Sequence, residues 1–85
     1  SDAAFSTVLP IVFAAKPLHI VDVGGNTGKW SAQCLAYDKD VRMTIVDLPG
    51  QVDIITNNLS SAGYSGRFET QATNMLAIGD EFPQK

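Results

Sequence analysis

The chain has 85 residues, enough for one domain or part of one, and its composition of 45% hydrophobic and 18% charged residues is ordinary for a globular protein. The formal net charge of −3 argues against binding nucleic acid through a basic face, and no apolar run is long enough to span a membrane. The single cysteine excludes an internal disulfide, and the N-terminus lacks the basic segment of a signal peptide, so we expect a cytoplasmic protein.

The first predicted element is a helix near the N-terminus. Pro10 lies inside its apolar pattern, so the helix either begins near Thr7, with Pro10 in its first turn, or is kinked at Pro10. Pro17 marks its end. The pattern consists of apolar residues at spacings of three and four: Phe5, Val8, Leu9, Val12 and Phe13.

A short β-branched run, HIVDV at residues 19–23, follows Pro17. It predicts a strand buried on both faces, in which His19 has a structural role. After the glycines that follow, KWSAQCLAYD predicts a helix with Trp30, Cys34 and Tyr37 on one face. We expect Trp30 to pack against the sheet and Cys34 to be an inert core residue.

The run VRMTIVD, residues 41–47, predicts a second buried strand. In the segment after it, Pro49 suits a first helical turn and Gly63 suits a helix stop. Apolar residues between them step by three, four and three, which predicts an amphipathic helix. These residues are Val52, Ile55, Leu59 and Ala62.

The last predicted element is a third strand near residues 66–74. Phe68, Thr70 and Ala72 alternate there with polar residues, which predicts a strand with one face or edge near water. The order is then helix, strand, helix, strand, helix, strand. This order predicts an α/β fold: a partial doubly wound, Rossmann-like parallel sheet of three strands.

The glycine turn in VDVGGNTGKW, residues 21–30, is the main candidate site. A P-loop would need a glycine at 23 and a hydroxyl at 30, where the chain has Val23 and Trp30. The dinucleotide pattern G-x-G-x-x-G would need glycines at 26 and 29, or at 27 and 30, and the chain has neither pair. Both phosphate-binding patterns are therefore disfavoured.

A third pattern, acidic-x-G-x-G-x-G, fits at Asp22, Gly24 and Gly28, with Asn26 in place of the middle glycine. Together with TIVDLPGQ further on, VDVGGNTG resembles the S-adenosylmethionine-dependent small-molecule O-methyltransferases of the plant-type and bacterial group. That family typically shows D-x-G-G-G-T-G after its first Rossmann strand and D-L-P at the end of its second. The resemblance covers roughly residues 18–76.

The resemblance implies S-adenosylmethionine as cofactor and no metal. Asp47 would accept hydrogen bonds from the ribose hydroxyls, and Leu48 would lie against the adenine. Asn74 stands where the family often has an acidic residue, and its amide oxygen can accept from the adenine amino group. The full set of implied cofactor-binding residues is Asp22, Gly24, Gly25, Asn26, Gly28, Asp47, Leu48, Asn74 and Met75.

The family's catalytic base is usually a histidine beyond the portion resembled here, and no residue of this chain matches it. We therefore interpret residues 1–85 as a single partial domain: the cofactor-binding half of an enzyme that methylates a hydroxyl of a small molecule, inactive in isolation. In the family's sheet the first strand has a further strand beside it. Without that neighbour HIVDV would expose an apolar edge, so we expect a homodimer.

Two other functions stay open at this point. One is a nucleotide-binding Rossmann module of NAD type, which the glycine spacing disfavours. The other is a non-catalytic interaction domain that has kept the fold, which Asn26 and Asn74, as departures from the family pattern, mildly favour.

Overall fold

The computed structural model describes residues 2–24 and 26–74. Helices and strands alternate along this part of the chain, as the sequence predicts. They are α1 (Asp2–Phe13), β1 (His19–Val23), a short 3-10 turn (Asn26–Gly28), α2 (Lys29–Tyr37), β2 (Arg42–Asp47), α3 (Pro49–Ser61) and β3 (Phe68–Ala72).

The three strands form one parallel sheet in the order β1-β2-β3. Each strand lies beside the next one in sequence, so the α/β architecture is confirmed. Val23 is paired with Val46, and Asp47 is paired with Ala72. All three strands therefore end at the same edge of the sheet, which we call the carboxyl edge.

The core lies between one face of the sheet and the helices. Met43 and Ile45 of β2 point to this face and are almost completely buried. Their neighbours on the same face, Ile20 and Asp22 of β1, are only half-buried. The buried apolar residues are Leu9, Phe13, Cys34, Leu35, Val41, Met43, Ile45, Ile55 and Leu59.

The prediction that β1 is buried on both faces is wrong. Val21 and Val23 are 60% and 59% exposed, and His19 at the start of the strand is exposed too. Among the strands of the described residues β1 lies at an edge, and α2 and α3 pack on the opposite face of the sheet from these two valines. A β-branched run indicates a strand, but its burial depends on what packs against it, which the run does not encode.

For α1 the structure decides between the two predicted positions of Pro10. The helix begins at Asp2, not near Thr7, so Pro10 lies in its interior. α1 is anchored to α2 by two aromatic contacts, since the ring of Phe5 lies 5.5 Å from that of Trp30, and the ring of Phe13 lies 5.2 Å from that of Tyr37. Trp30 thus has its ring contact with α1, whereas we expected packing against the sheet.

The C-terminus of α3 is closed by Gly63, as the sequence predicts. Gly63 has a φ of 95°, its N–H donates to Ser60, and the N–H of Tyr64 donates to Leu59. This pair of bonds is a Schellman motif, which satisfies carbonyls at the helix end. Ala62 lies at the cap and is exposed, so its assignment to the apolar stripe is wrong.

Arg67, just before β3, joins three parts of the fold. Its guanidinium donates to the carbonyls of Leu35, Asp38 and Val41 at 3.1, 2.6 and 2.9 Å. A cation is favourable at the C-terminal end of α2, where carbonyls of the last turn lack helical partners. Nothing in the sequence pattern indicated this connection.

Within residues 2–24 and 26–74, no helix has both the length and the apolarity needed to cross a bilayer.

Candidate functional site

The carboxyl edge of the sheet brings the predicted cofactor residues together. The N–H of Gly24 donates to Val46 at 2.8 Å, which extends the pairing of β1 and β2 beyond the last residue of β1. On the other side, the N–H of Thr73 donates to the carbonyl of Asp47 at 2.9 Å. Gly24, Asp47 and Thr73 therefore form a line across the sheet, about 10 Å long at ordinary strand spacing.

Asp47 lies at the centre of this line and is only 5% exposed. Its Oδ1 accepts a hydrogen bond from the N–H of Leu48 at 2.8 Å. The carboxylate is thus held by a backbone N–H at one of its oxygens.

Leu48 and Asn74 follow β2 and β3 at the same edge. Leu48 is 45% exposed although it is a large apolar residue, and Asn74 is exposed as well. An exposed leucine beside a buried carboxylate offers both an apolar contact and a hydrogen-bond acceptor, the two kinds of group that a nucleoside needs. Gly25, the side chain of Asn26, and Met75 lie outside the described part of the structure.

The glycine turn has left-handed backbone at three described positions. Gly24 has a φ of 68°, Thr27 of 65° and Gly28 of 81°. Left-handed backbone costs conformational energy in every residue except glycine, and it costs most in a β-branched residue. The sequence did not predict left-handed backbone at Thr27, because a threonine gives no signal for it.

The two glycines have different surroundings. A methyl group added at Gly24 would meet nothing within 4 Å, whereas one added at Gly28 would lie 3.1 Å from Cγ2 of Ile55. Gly24 is therefore the place where a ligand can approach the backbone. Gly28 is the place where the turn packs against α3.

Asp22 does not pair with a cation in the described part of the chain. Its Oδ2 accepts a hydrogen bond from the hydroxyl of Ser31 at 2.8 Å. Ser31 is completely buried on α2, and sequence reasoning missed it. A signal was present: Ser31 precedes the buried Cys34 and Leu35 by three and four positions, which places it on the inner face of the helix.

Cys34 is fully buried in the core. Burial raises the pKa of its thiol to about 12, and the negative charge of Asp22 contributes to the same shift. A thiol that stays protonated at neutral pH is a poor nucleophile, so the prediction of an inert core cysteine is confirmed.

An open cleft of about 520 Å³ lies at the opposite, amino-terminal edge of the sheet. Phe13, Leu18, Tyr37 and Asp38 are among its lining residues. It contains neither the glycine turn nor Asp47. In open α/β sheets ligands bind outside the carboxyl ends of the strands, so the candidate cofactor site is the carboxyl edge and not this cleft.

No family model matches the chain. The chain is 32% identical over 56 residues to bacteriochlorophyllide d C-20 methyltransferase of Chlorobaculum tepidum, a match that covers 66% of this chain and 17% of that protein.

Two solved structures share the fold and part of the sequence. An O-methyltransferase family protein from Burkholderia thailandensis has a TM-score of 0.68 at 26% identity, over 94% of this chain and 26% of that one. An O-methyltransferase from neocarzinostatin biosynthesis, solved with S-adenosyl-L-homocysteine, has a TM-score of 0.69 at 27% identity, over 99% of this chain and 28% of that one. The chain therefore has the Rossmann-like fold of S-adenosylmethionine-dependent O-methyltransferases and spans about a quarter of the length of these solved relatives.

Proposed function

We propose that this chain forms the S-adenosylmethionine-binding part of an enzyme that transfers a methyl group to a hydroxyl of a small molecule. The observation that carries the proposal is the line of Gly24, Asp47 and Thr73 across the carboxyl edge. It combines open backbone at Gly24 with a buried carboxylate at the end of β2, between the ends of β1 and β3.

In this proposal Asp47 binds the ribose of the cofactor. Its Oδ1 is already held by the N–H of Leu48, which fixes the carboxylate, and we assign to Oδ2 the hydrogen bond from a ligand hydroxyl. A preorganised acceptor loses little conformational entropy when the ligand arrives. Leu48 supplies the apolar contact for the adenine, and Asn74 supplies an amide beside it.

The glycine turn holds the amino-acid end of the cofactor. Gly24 admits a close approach because nothing lies within 4 Å of the position that a Cβ would take. The cofactor supplies an activated methyl group on a positively charged sulfonium. The carboxylates of Asp22 and Asp47, neither of them paired with a cation in the described part of the chain, make this edge favourable for a cation.

No histidine lies at this edge within residues 2–24 and 26–74. His19, the single histidine of the chain, lies at the amino end of β1 and bonds Thr44 through Nε2 at 2.6 Å. A five-residue strand separates it from the carboxyl edge by about 13 Å. We therefore propose that the base and the acceptor site are contributed by other parts of the protein, and that these 85 residues alone do not transfer a methyl group.

We propose oxygen as the acceptor atom because the two solved relatives are O-methyltransferases. The Chlorobaculum tepidum relative is a C-20 methyltransferase, so a carbon acceptor is the competing outcome. Incubating the full-length protein with methyl-labelled cofactor and a panel of phenols tests the hydroxyl acceptor. Product analysis then shows whether the label is on oxygen or on carbon.

Calorimetry on the full-length protein tests the cofactor directly. We expect S-adenosylhomocysteine to bind and NAD not to bind. Binding of NAD alone would favour the nucleotide-binding module, and binding of neither would favour a non-catalytic domain. The 85-residue chain, assayed beside the full-length protein, should show no transfer above background.

A further inference from the structure

A side-chain hydrogen bond joins the two ends of the segment that contains the glycine turn. Asp22 is the fourth residue of β1, and Ser31 is the third residue of α2. The hydroxyl of Ser31 donates to Oδ2 of Asp22 at 2.8 Å, across a separation of nine residues. The entire turn from Gly24 to Gly28 lies between these two residues.

The environment of Ser31 indicates that this bond is its role. Ser31 is 0% exposed, so its hydroxyl cannot be satisfied by solvent. A serine in a helix is less favourable than alanine, and an alanine would fill a buried position beside Cys34 without a polar group to satisfy. What serine adds here is a donor for a carboxylate, a hydrogen bond of the stronger, charge-assisted kind.

We propose that Ser31 is a positioning residue for the cofactor: by holding the carboxylate of Asp22, it fixes the base of the glycine turn against α2. The inference rests on the proposed function, because it assigns Ser31 a part in that same site. Ser31 acts through Asp22 and does not itself touch the ligand.

The other residues of the glycine turn show why the bond between Ser31 and Asp22 matters. At the far end, Gly28 is fixed by its close approach to Ile55. In between, Thr27 adopts left-handed backbone, which a threonine adopts only when its surroundings impose it. If the bond between Ser31 and Asp22 is lost, the strained segment can relax, and the backbone near Gly24 moves from the position in which it meets the ligand. A shift of about 1 Å in a positioning group is enough to cost a large part of its effect.

The test is Ser31→Ala in the full-length protein, with Ser60→Ala as the matched control. Ser60 is an exposed serine on α3, away from the turn. We expect the dissociation constant for S-adenosylhomocysteine to rise about tenfold in Ser31→Ala, as for loss of a hydrogen bond to a charged group, and to stay unchanged in the control. Calorimetry well below the thermal midpoint of each variant separates ligand affinity from stability.

Two further comparisons separate positioning from packing. Threonine and valine have nearly the same shape, and only threonine keeps a hydroxyl. The Ser31→Thr variant should therefore bind S-adenosylhomocysteine more tightly than the Ser31→Val variant. In addition, Ser31→Ala should add little to the loss caused by Asp22→Ala, because the two residues act as a unit. If Ser31→Ala does not fold, Ser31→Cys carries the same test, since a thiol of similar volume is only a weak donor.

The outcomes are distinct. If the wild-type protein does not bind S-adenosylhomocysteine, the proposed function fails. If the wild type binds it and Ser31→Ala binds it equally well, with a lower thermal midpoint, Ser31 is only structural and the inference is overturned while the proposed function stands. Additive losses in the Asp22→Ala, Ser31→Ala double variant would also overturn it.

Discussion

Gly28 lies so close to Ile55 of α3 that a methyl group at its α-carbon would stand 3.1 Å from Ile55 Cγ2. Gly24, at the other end of the same turn, has open space at the equivalent position. Both glycines have positive φ, 81° and 68°, so both would be strained by any side chain. Both ends of the turn therefore need glycine for its backbone conformation, and Gly28 needs it for packing as well.

The first prediction follows from this difference. Gly24→Ala should lower stability through backbone strain alone, by about 1–2 kcal/mol. Gly28→Ala should cost about 1–3 kcal/mol more, because the added methyl group also overpacks against Ile55. Denaturant unfolding of the two variants measures the difference. Equal losses would show that α3 moves away from the turn at little cost.

The second prediction concerns Asp47. Asp47→Ala removes the carboxylate that is proposed to bind the ribose, and the dissociation constant for S-adenosylhomocysteine should rise at least tenfold, as for loss of a charged hydrogen bond of about 1.5–3 kcal/mol. Asp53→Ala, on the exposed surface of α3, is the matched control. An unchanged affinity in Asp47→Ala would reject this role for the carboxylate.

The third prediction concerns Asn26, which stands where the family pattern has a glycine. Asn26→Gly should keep or improve the affinity for S-adenosylhomocysteine, because it removes a side chain from the part of the turn that the backbone is proposed to present to the ligand. Calorimetry beside the wild type measures the change. A large loss of affinity would mean that the Asn26 side chain contacts the ligand directly.

The fourth prediction uses the raised pKa of Cys34. With a pKa of about 12, the thiol should resist alkylation at pH 8 in the folded protein and react once the chain is unfolded. The folded state binds this proton more tightly than the unfolded state, whose thiol has a pKa near 9.0. The protonated Cys34 thiol therefore makes its full contribution to the free energy of unfolding below pH 9, and this contribution is lost as the pH rises toward 12.

Cys34→Ala separates this effect from other alkaline transitions. Above pH 9 its stability should fall less steeply than that of the wild type, because the cysteine no longer contributes. Rapid labelling of the wild-type thiol at pH 8 under native conditions would contradict the assignment of Cys34 to a closed core.

The fifth prediction is that the 85-residue chain associates with itself. Val21 and Val23 are 60% and 59% exposed on β1, and strands of parallel sheets are normally covered on both faces. Substituting both with lysine should reduce the assembly. Ile54→Lys is the matched control, since Ile54 is a similarly exposed apolar residue on α3. Light scattering after size-exclusion chromatography, over a dilution series, measures the mass; a wild-type monomer at every concentration would reject the prediction.

The sequence by itself determined the order of helices and strands and the place of the candidate site. HIVDV, VRMTIVD and the alternating residues around Thr70 each carry a strand pattern within a few residues, and Pro49 and Gly63 mark the limits of α3 by local backbone chemistry. Because strands in such an alternation run parallel, Gly24 and Asp47 had to meet at one edge.

Only the tertiary structure decided which surfaces those elements cover and which side chains hold them together. Val21 is exposed because no described element packs on its face of the sheet. Three sets of contacts join residues on separate elements: the rings of Trp30 and Phe5, the Arg67 bonds to three carbonyls, and the bond between Ser31 and Asp22. A local pattern records what a residue prefers for its own backbone and burial. Its partner is set by how the elements pack, and that information lies in no short stretch of sequence.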